Sequence, residues 1–209
     1  YRGAVNNNWI KFAGIYWRII RINGDGSIRM IYSGTTAPTS STATVMTGTG
    51  TQTTTRAFNS SYNDAIYVGF KYASSNGHGT STWSTIADYL VGTGSGGWYA
   101  SSGLSSYASY IADGKFCNDR TTNGSYFSEY TSTTGYGTSN TAFAPATRVY
   151  NSSWSGNSTQ TISTSCTNSS DIFTTKVGLI TSDEVLMAGG KGGTGRWRIK
   201  SWKGHKSRG

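Results

Sequence analysis

Apolar residues are concentrated in two blocks of this chain, and the rest is dominated by Ser, Thr, Gly, Asn and Tyr. The first block covers residues 9–32 and the second covers residues 176–190. We expect these two blocks to fix the fold, because their hydrophobic patterns are the strongest in the chain. Neither block contains an obvious catalytic group, so the sequence is more informative about architecture and compartment than about chemistry.

The first block predicts consecutive antiparallel strands. Residues 9–13 and 15–22 are rich in β-branched and aromatic side chains, which favour strands. Asn-Gly and Asp-Gly dipeptides follow, which favour the positive φ angles of tight hairpin turns, and residues 27–32 form the return strand. Arg18 and Arg21 stand among apolar neighbours, so we expect at least one face of these strands to contact solvent.

The second block predicts a strand followed by a helix. Residues 176–180 have the continuous apolar character of a buried strand. Thr181 and Glu184 then match the capping box S/T-x-x-E, in which each side chain accepts a hydrogen bond from a backbone N–H at the helix start. The helix is expected to continue through residue 187 and to end at a Gly-Gly pair.

Between the two blocks the predicted elements are shorter. Residues 66–72 have strand character, and residues 104–112 predict a weak helix. Residues 81–90 predict a helix that either Thr82 or Ser84 can cap. Long polar loops, residues 33–60 and 118–170, account for most of the remaining chain.

Positive charge is concentrated at the C-terminal end of the sequence. The formal net charge is +9, but residues 1–190 contain eleven Lys/Arg and nine Asp/Glu, whereas residues 191–209 contain seven Lys/Arg and no acid. This tail mixes its cations with tryptophan, a composition that suits contact with phosphates or an anionic membrane surface. Its candidate anion-binding residues are Arg196, Trp197, Arg198, Lys200, Trp202 and Lys203.

The overall composition indicates a folded, exported protein. Charged residues make up 13% of the chain, against about 25% in an average globular protein. The 14 Tyr and 7 Trp argue against disorder, and a chain rich in small polar and aromatic residues is typical of bacterial surface proteins. No apolar run has the length of a membrane span, so we expect membrane contact only through an N-terminal anchor missing from this sequence. The sequence starts at Tyr1 without a signal peptide, which suggests a mature form, an excised domain or a fragment.

Two cysteines, Cys117 and Cys166, lie in polar surroundings rather than in apolar ones. Their spacing fits no zinc motif, and in an exported chain they would pair. Closing a loop of that length would stabilise the fold by about 4 kcal/mol. The alternative is two unpaired thiols in a cytosolic protein. Residues 117–120, which begin with the first cysteine, are interpreted as a local loop staple formed by Asx turns.

Candidate catalytic groups are sparse. His78 lies in a Gly-rich loop and His205 lies in the basic tail, and the chain has no G-x-S-x-G motif that would support a nucleophilic serine. Asp183 and Glu184 form a carboxylate pair, but the capping box already accounts for Glu184. We therefore expect no enzymatic activity, no metal site and no cofactor.

Four aromatic residues near Gly/Ser-rich loops are candidate ligand contacts. Their rings could stack on sugars, although aromatic residues in such positions are more often core or loop anchors. These residues are Trp83, Trp98, Tyr99 and Trp154.

Four stretches of the chain, taken in order, resemble an uncharacterised domain of bacterial exported and surface proteins. The most specific features are an aromatic–Trp–Arg strand with an Asp-Gly turn, and a strand that feeds a T/S-x-D-E-V helix. The matching stretches are residues 6–35, 55–73, 110–120 and 167–190.

That domain is similar to the C-type lectin-like and formylglycine-generating-enzyme-like fold. The resemblance implies an α+β fold with a mixed or antiparallel sheet, two or three short helices and long polar loops. Because one fold carries many functions, the resemblance does not transfer the oxidase activity. Calcium-binding motifs of lectins are absent from the sequence, so the resemblance does not imply calcium-dependent sugar binding either.

The C-terminal end departs from this family. The family continues with an aromatic strand and a closing core strand, whereas this chain continues with its basic tail. We interpret residues 1–190 as a lectin-like surface domain that is incomplete at its C-terminal end. Residues 191–209 are interpreted as a non-native, frame-shifted or disordered tail. A missing core pairing would leave an edge or an apolar face of the N-terminal hairpin exposed.

These observations favour a non-enzymatic extracellular or cell-surface module of a bacterium, with a structural role or with a glycan or protein ligand. Two alternatives stay open at this point. One is an enzyme related to formylglycine-generating oxidases or a hydrolase. The other is binding of an anionic surface or nucleic acid through the tail, although nucleic acid is not favoured because the domain itself is nearly neutral. The sequence identifies neither the ligand nor the oligomeric state.

Overall fold

A computed structural model describes eight segments of the chain, which contain antiparallel sheets and a few short helices. The chain therefore belongs to the α+β class, as predicted. It is divided into two compact units. The first unit contains the described residues 7–39 and 183–184. The second unit contains the described residues 56–59, 69–72, 80–92, 97–118, 163–166 and 169–181.

The first unit is a three-stranded antiparallel sheet in the order β1-β2-β3. Its strands are β1 (Trp9–Phe12), β2 (Ile15–Ile22) and β3 (Ile28–Tyr32), which confirms the predicted strands. A two-residue turn joins β1 to β2, and both of its residues have positive φ, 53° at Ala13 and 77° at Gly14. These angles match a type I′ turn, whose twist fits the strands on either side.

The turn between β2 and β3 shows how the Asn-Gly-Asp-Gly sequence works. The N–H of Gly26 donates to the carbonyl of Asn23 at 3.0 Å, and the N–H of Asn23 donates to the carbonyl of Ser27 at 2.8 Å. Gly26 has a φ of 82°, which a side chain would strain. This is a three-residue hairpin loop with a glycine bulge, as expected for the Asp-Gly dipeptide.

A bulge in β2 controls which side chains share a face. Ile19 pairs with Met30 and Arg21 pairs with Arg29, so Ile20 has no partner in the register. Side chains alternate between faces along a strand, and the extra residue therefore keeps Arg21 on the face that carries Arg18. On the opposite face, the paired residues Ile22 and Ile28 are 64% and 44% exposed, so the hairpin presents apolar surface near its turn.

The second unit is built from short elements. Strand β4 (Lys71–Tyr72) pairs with β5 (Thr82–Trp83), and strand β6 (Gly114–Cys117) pairs with β7 (Ile172–Thr175), both antiparallel. Its helices are α1 (Thr85–Leu90) and α2 (Trp98–Ser101), with 3-10 helices at Leu104–Tyr110 and Ser169–Asp171. Within the described residues, no helix is long and apolar enough to cross a membrane.

Stacked phenylalanine rings form the core of the second unit. Phe173 lies between Phe70 and Phe116, with ring centroids 5.1 Å and 5.7 Å away and interplanar angles of 15° in both pairs. Ala87 of α1 completes the buried cluster. The stack explains why β6 and β7 pair where they do, because Phe116 and Phe173 are directly opposed in the register.

Three predictions for the second unit are corrected in their boundaries. The helix predicted for residues 81–90 begins after Ser84, whose hydroxyl accepts a hydrogen bond from the N–H of Ala87 at 3.1 Å. Thr82 is therefore not the cap but part of strand β5. The weak helix predicted for residues 104–112 is the 3-10 helix Leu104–Tyr110. Of the strand predicted for residues 66–72, the described part is strand only at Lys71–Tyr72.

The strand predicted for residues 176–180 is wrong. The strand is β7, which precedes that segment, and residues 176–180 have no regular structure. Packing explains the difference: a Cβ at Gly178 would lie 2.5 Å from the ring of Phe116, so the backbone passes directly over that ring. Asp183 and Glu184 are helical, in agreement with the predicted helix start, and the rest of that helix lies outside the described residues.

The predicted disulfide is confirmed: Cys117 and Cys166 are bonded, with Cα atoms 5.4 Å apart. The next residue, Asn118, was predicted to be a local staple, but its side chain connects distant segments. Its amide Nδ2 donates to the carbonyl of Lys71, its Oδ1 accepts from the N–H of Lys71 at 3.2 Å, and its own N–H donates to the carbonyl of Asp171 at 3.1 Å. Asn118 thus links β4 to the β6–β7 pair.

Candidate ligand-binding face

One face of the three-stranded sheet carries alternating cations and aromatic rings. Trp9 is directly opposite Arg18 in the register, and Lys11 is directly opposite Tyr16. Because opposed residues point to the same side and every second residue shares a face, these four side chains lie together. We call Trp9, Lys11, Tyr16 and Arg18 the cation–aromatic face.

Each cation of this face lies over the ring of its opposed neighbour. The Cζ atom of Arg18 is 4.7 Å from the centroid of the Trp9 ring, and Nζ of Lys11 is 5.5 Å from the centroid of the Tyr16 ring. Both distances are within the range of cation–π attraction, which contributes about 0.5–1 kcal/mol at exposed sites. The two pairs run in opposite senses across the strands, so the cations occupy one diagonal of the face and the rings occupy the other.

The face is accessible and positively charged. Lys11 is exposed, while Trp9, Tyr16 and Arg18 are half-buried. Burial removes part of the water around the Arg18 guanidinium and lowers its pKa, but an arginine stays protonated in proteins. A charge that has already lost part of its hydration interacts more strongly with an incoming anion.

Two further arginines extend the same face. Arg21 and Arg29 are opposed in the register, where like charges repel. Glu184 offsets this repulsion, because its Oε1 accepts a hydrogen bond from Nε of Arg29 at 2.9 Å and lies 3.9 Å from Nη2 of Arg21. Burial lowers the pKa of Arg29, and the charge of Glu184 opposes that shift. Asn23 orients Arg21 by accepting from its Nε at 2.7 Å.

Glu184 therefore has a role that the sequence did not reveal. The capping box predicted its position at a helix start, but its carboxylate is buried at 6% exposure and forms an ion pair with the arginines of β2 and β3. This contact connects residues 155 positions apart in the chain. No local sequence signal could have indicated it.

Three of the four aromatic candidates from the sequence are among the described residues, and these three lie in the second unit. Trp83 packs against the phenylalanine core, edge to face with Phe70 at 6.3 Å, and Nζ of Lys71 lies 4.4 Å above its ring. Trp98 and Tyr99 are consecutive residues of α2, so their side chains leave the helix about 100° apart and form no common flat platform. Trp154 and the tail residues lie outside the described residues, as do His78 and His205.

Three members of the cation–aromatic face, Trp9, Lys11 and Tyr16, were not identified from the sequence. The alternation of residues along β1 and β2 shows which side chains share a face of each strand. To know which residues of the two strands are neighbours also requires the pairing register. A two-residue turn centred on Ala13 and Gly14 sets that register. Among the described residues, no group of three or more His, Cys, Asp or Glu is placed to hold a metal ion.

Fold and site together describe an α+β, disulfide-bonded protein with a positively charged, aromatic sheet face. The chain matches no protein-family model, no curated protein and no solved structure.

Proposed function

We propose that this chain is a non-enzymatic extracellular or cell-surface binding module of a bacterium, with a C-type lectin-like fold. Its ligand is a glycan or a protein, bound at the cation–aromatic face. The observation that carries the proposal is the placement of two cation–ring pairs side by side on one sheet face. Half-exposed rings and charges in such an array provide stacking surface and charge-assisted hydrogen bonds together.

Two further observations support this proposal. The Cys117–Cys166 disulfide is typical of proteins in oxidising compartments, where surface modules act. The binding residues also lie on paired strands rather than on loops, and rigid elements hold a binding geometry with less ordering cost.

The alternative of a formylglycine-oxidase-like enzyme depends on reactive thiols. Both cysteines are consumed by the disulfide, and a bonded cysteine has no thiolate to act as a nucleophile or metal ligand. Alkylation of the native protein tests this alternative, with a mass shift expected only after reduction. A rapid mass shift without reduction would reopen the enzymatic alternative.

The test of the binding proposal is an array of purified glycans and extracellular proteins probed with the full chain. We expect at least one class of ligand to bind, and we expect Tyr16→Ala to weaken that binding roughly tenfold by removing stacking surface. Tyr110→Ala is the matched control, because Tyr110 is 80% exposed and lies in the second unit. Equal binding by both variants, or no binding to the array, would overturn the proposal.

A further inference from the structure

Among the residues that the structure describes, the charges placed on the cation–aromatic face and its extension are mostly positive. The register and contacts place four cations there, Lys11, Arg18, Arg21 and Arg29, with Glu184 as the carboxylate between the last two. A ligand that covers this face meets a positive surface with rings interspersed. From this we infer that the ligand is an acidic polysaccharide, a chain of sugars that carry carboxylate or sulfate groups. This inference rests on the proposed function.

The diagonal arrangement fits such a polymer. Diagonal neighbours on an antiparallel pair are about 7 Å apart, so the rings of Trp9 and Tyr16 and the charges of Lys11 and Arg18 alternate over a short distance. The apolar face of a sugar stacks on an aromatic ring, while a carboxylate or sulfate accepts charge-assisted hydrogen bonds from Arg and Lys. Each acidic sugar thus finds a ring and a cation within reach.

The cations of this face are already oriented before a ligand binds. Arg18 is stacked on Trp9 and Lys11 lies over Tyr16, so less side-chain entropy is lost when an anion binds. Lys11 is exposed, so the ammonium group at its tip can donate to an approaching anion. A neutral sugar would stack on the rings but would gain no charge attraction from the two cations.

Nucleic acid also combines phosphates with stacking surfaces, but the charge balance favours the polysaccharide. Strong binding to nucleic acid rests on many simultaneous phosphate contacts, about six to ten in well-studied cases. The described residues of the first unit contain four Lys/Arg and three Asp/Glu, so its cations are local to one face and not part of a broad basic surface. The disulfide is also typical of oxidising compartments outside the cytosol, which fits an extracellular polyanion better than a nucleic acid.

The experiment compares dextran sulfate with unmodified dextran, which share a backbone and differ in charge, and adds a DNA duplex as a third probe. Binding of the full chain is measured by calorimetry or interferometry at several salt concentrations. We expect dextran sulfate to bind, unmodified dextran to bind at least tenfold more weakly, and the DNA duplex to bind more weakly than dextran sulfate.

Matched variants locate the binding. Lys11→Gln and Arg18→Gln are each expected to reduce affinity for dextran sulfate roughly five- to tenfold and to lower its salt dependence. Lys115→Gln is the control for the first, because Lys115 is an exposed lysine of β6. Arg56→Gln is the control for the second, because Arg56 lies 4.8 Å over the ring of Tyr89 in the second unit. Both controls should bind as the natural chain does.

Several outcomes would overturn the inference. If dextran and dextran sulfate bind equally, or if only neutral ligands bind on the array, the ligand is not an acidic polysaccharide. The proposed binding function would still stand. DNA bound as tightly as dextran sulfate would favour a nucleic-acid ligand. A further variant changes four cations of the tail to Gln: Arg196, Arg198, Lys200 and Lys203. If this variant loses binding while Lys11→Gln still binds normally, the binding belongs to the tail. Failure of every ligand on the array would overturn the proposed function itself.

Discussion

The two units of this protein are assembled from contacts of different range. In the first, strands pair across turns of two and three residues, so most partners are close in the sequence. In the second, β6 pairs with β7 across a long intervening segment. Long-range pairing costs more loop-closure entropy than local pairing, and the second unit offsets that cost with a disulfide and a buried amide.

Aromatic residues also have different roles in the two units. The rings of Phe70, Phe116 and Phe173 stack on each other in the second unit and are 4–7% exposed. Trp9 and Tyr16 in the first unit are half-buried and lie under cations. Aromatic side chains therefore stabilise the second unit by being buried. In the first unit they form part of a surface that can contact a ligand.

The largest expected effect comes from removing the covalent link of the second unit. Cys117→Ala with Cys166→Ala opens a loop with a sequence separation of 49, which should lower the free energy of unfolding by about 4 kcal/mol on the chain-entropy model. Amide hydrogen exchange is the measurement. Protection should fall most at β6 and β7, and less at β2, whose pairs do not depend on that loop.

Oxidised and reduced natural protein provide the control for this pair of substitutions. The reduced chain should behave as the double variant does, because both lack the cross-link. Equal loss of protection in β2 and β6 would contradict the contrast between the units and indicate a single cooperative structure.

Asn118→Ala is expected to have the next largest effect. It leaves the N–H and carbonyl of Lys71 without their Asn118 partners, and each unsatisfied buried group costs about 1–3 kcal/mol. We expect a loss of about 3 kcal/mol in denaturant unfolding, since the substitution removes more than one such bond. Asn59→Ala is the matched control, because the hydrogen bond that its Oδ1 accepts from the N–H of Thr85 is exposed to solvent.

The control should cost about 1 kcal/mol or less. If the two asparagine variants were equally stable, the link between β4 and the β6–β7 pair would contribute little. The phenylalanine stack would then be the main long-range contact of the second unit.

Glu184→Gln tests the contacts that connect residue 184 to β2 and β3 in the first unit. The variant leaves Arg21 opposed to Arg29 without a carboxylate between them. Removing one partner of a fully buried ion pair costs about 3–5 kcal/mol. The guanidinium side chains here are 15% and 22% exposed, so solvent screening reduces our expectation to about 2 kcal/mol.

Asp113→Asn is the control for this ion pair. Asp113 lies 3.3 Å from Nζ of Lys176, and its side chain is 66% exposed, so its loss should cost below about 1 kcal/mol. A double-mutant cycle with Arg29→Gln measures the coupling directly. A coupling energy near zero would show that Glu184 does not hold the first unit together.

The same contrast of range determines how much could be predicted from the sequence. The strands of the first unit were predicted because alternation and the Asn-Gly-Asp-Gly turn lie within one short segment. Strands β6 and β7 were missed because four residues with two apolar side chains carry no distinctive pattern until their partner is known. The cysteines were paired correctly because composition indicated an oxidising compartment.

The binding face was predicted only in part, for a related reason. Arg18 was recognised as solvent-facing, but its neighbours depend on the turn at Ala13 and Gly14. Alanine rarely adopts a positive φ, so nothing at this position indicated a two-residue turn. Tertiary pairing imposes that conformation, and a prediction based on local preferences could not place Trp9 opposite Arg18.

The smallest expected effect concerns the most local interaction of the first unit. Asp25 Oδ1 accepts hydrogen bonds from Oγ of Ser27 at 2.6 Å and from its N–H at 2.9 Å. These bonds, the one from the Ser27 side chain first, lower the pKa of Asp25. A lowered folded-state pKa means that the contribution to stability is present above the unfolded value, about 3.9, and is lost as the pH falls through the folded value.

NMR titration of the Asp25 carboxyl carbon measures this pKa, and Ser27→Ala is the matched comparison. In the natural chain the carboxyl should titrate below the ordinary aspartate range, and in Ser27→Ala it should return toward that range because the first donor is gone. Cross-strand contacts between Ile22 and Ile28 should persist in the variant, since the backbone bonds that Asn23 makes with Gly26 and Ser27 do not involve the carboxylate. An ordinary pKa in the natural chain would show that the Ser27 bonds do not stabilise the carboxylate. Loss of the strand register in the variant would show that the turn depends on more than its backbone.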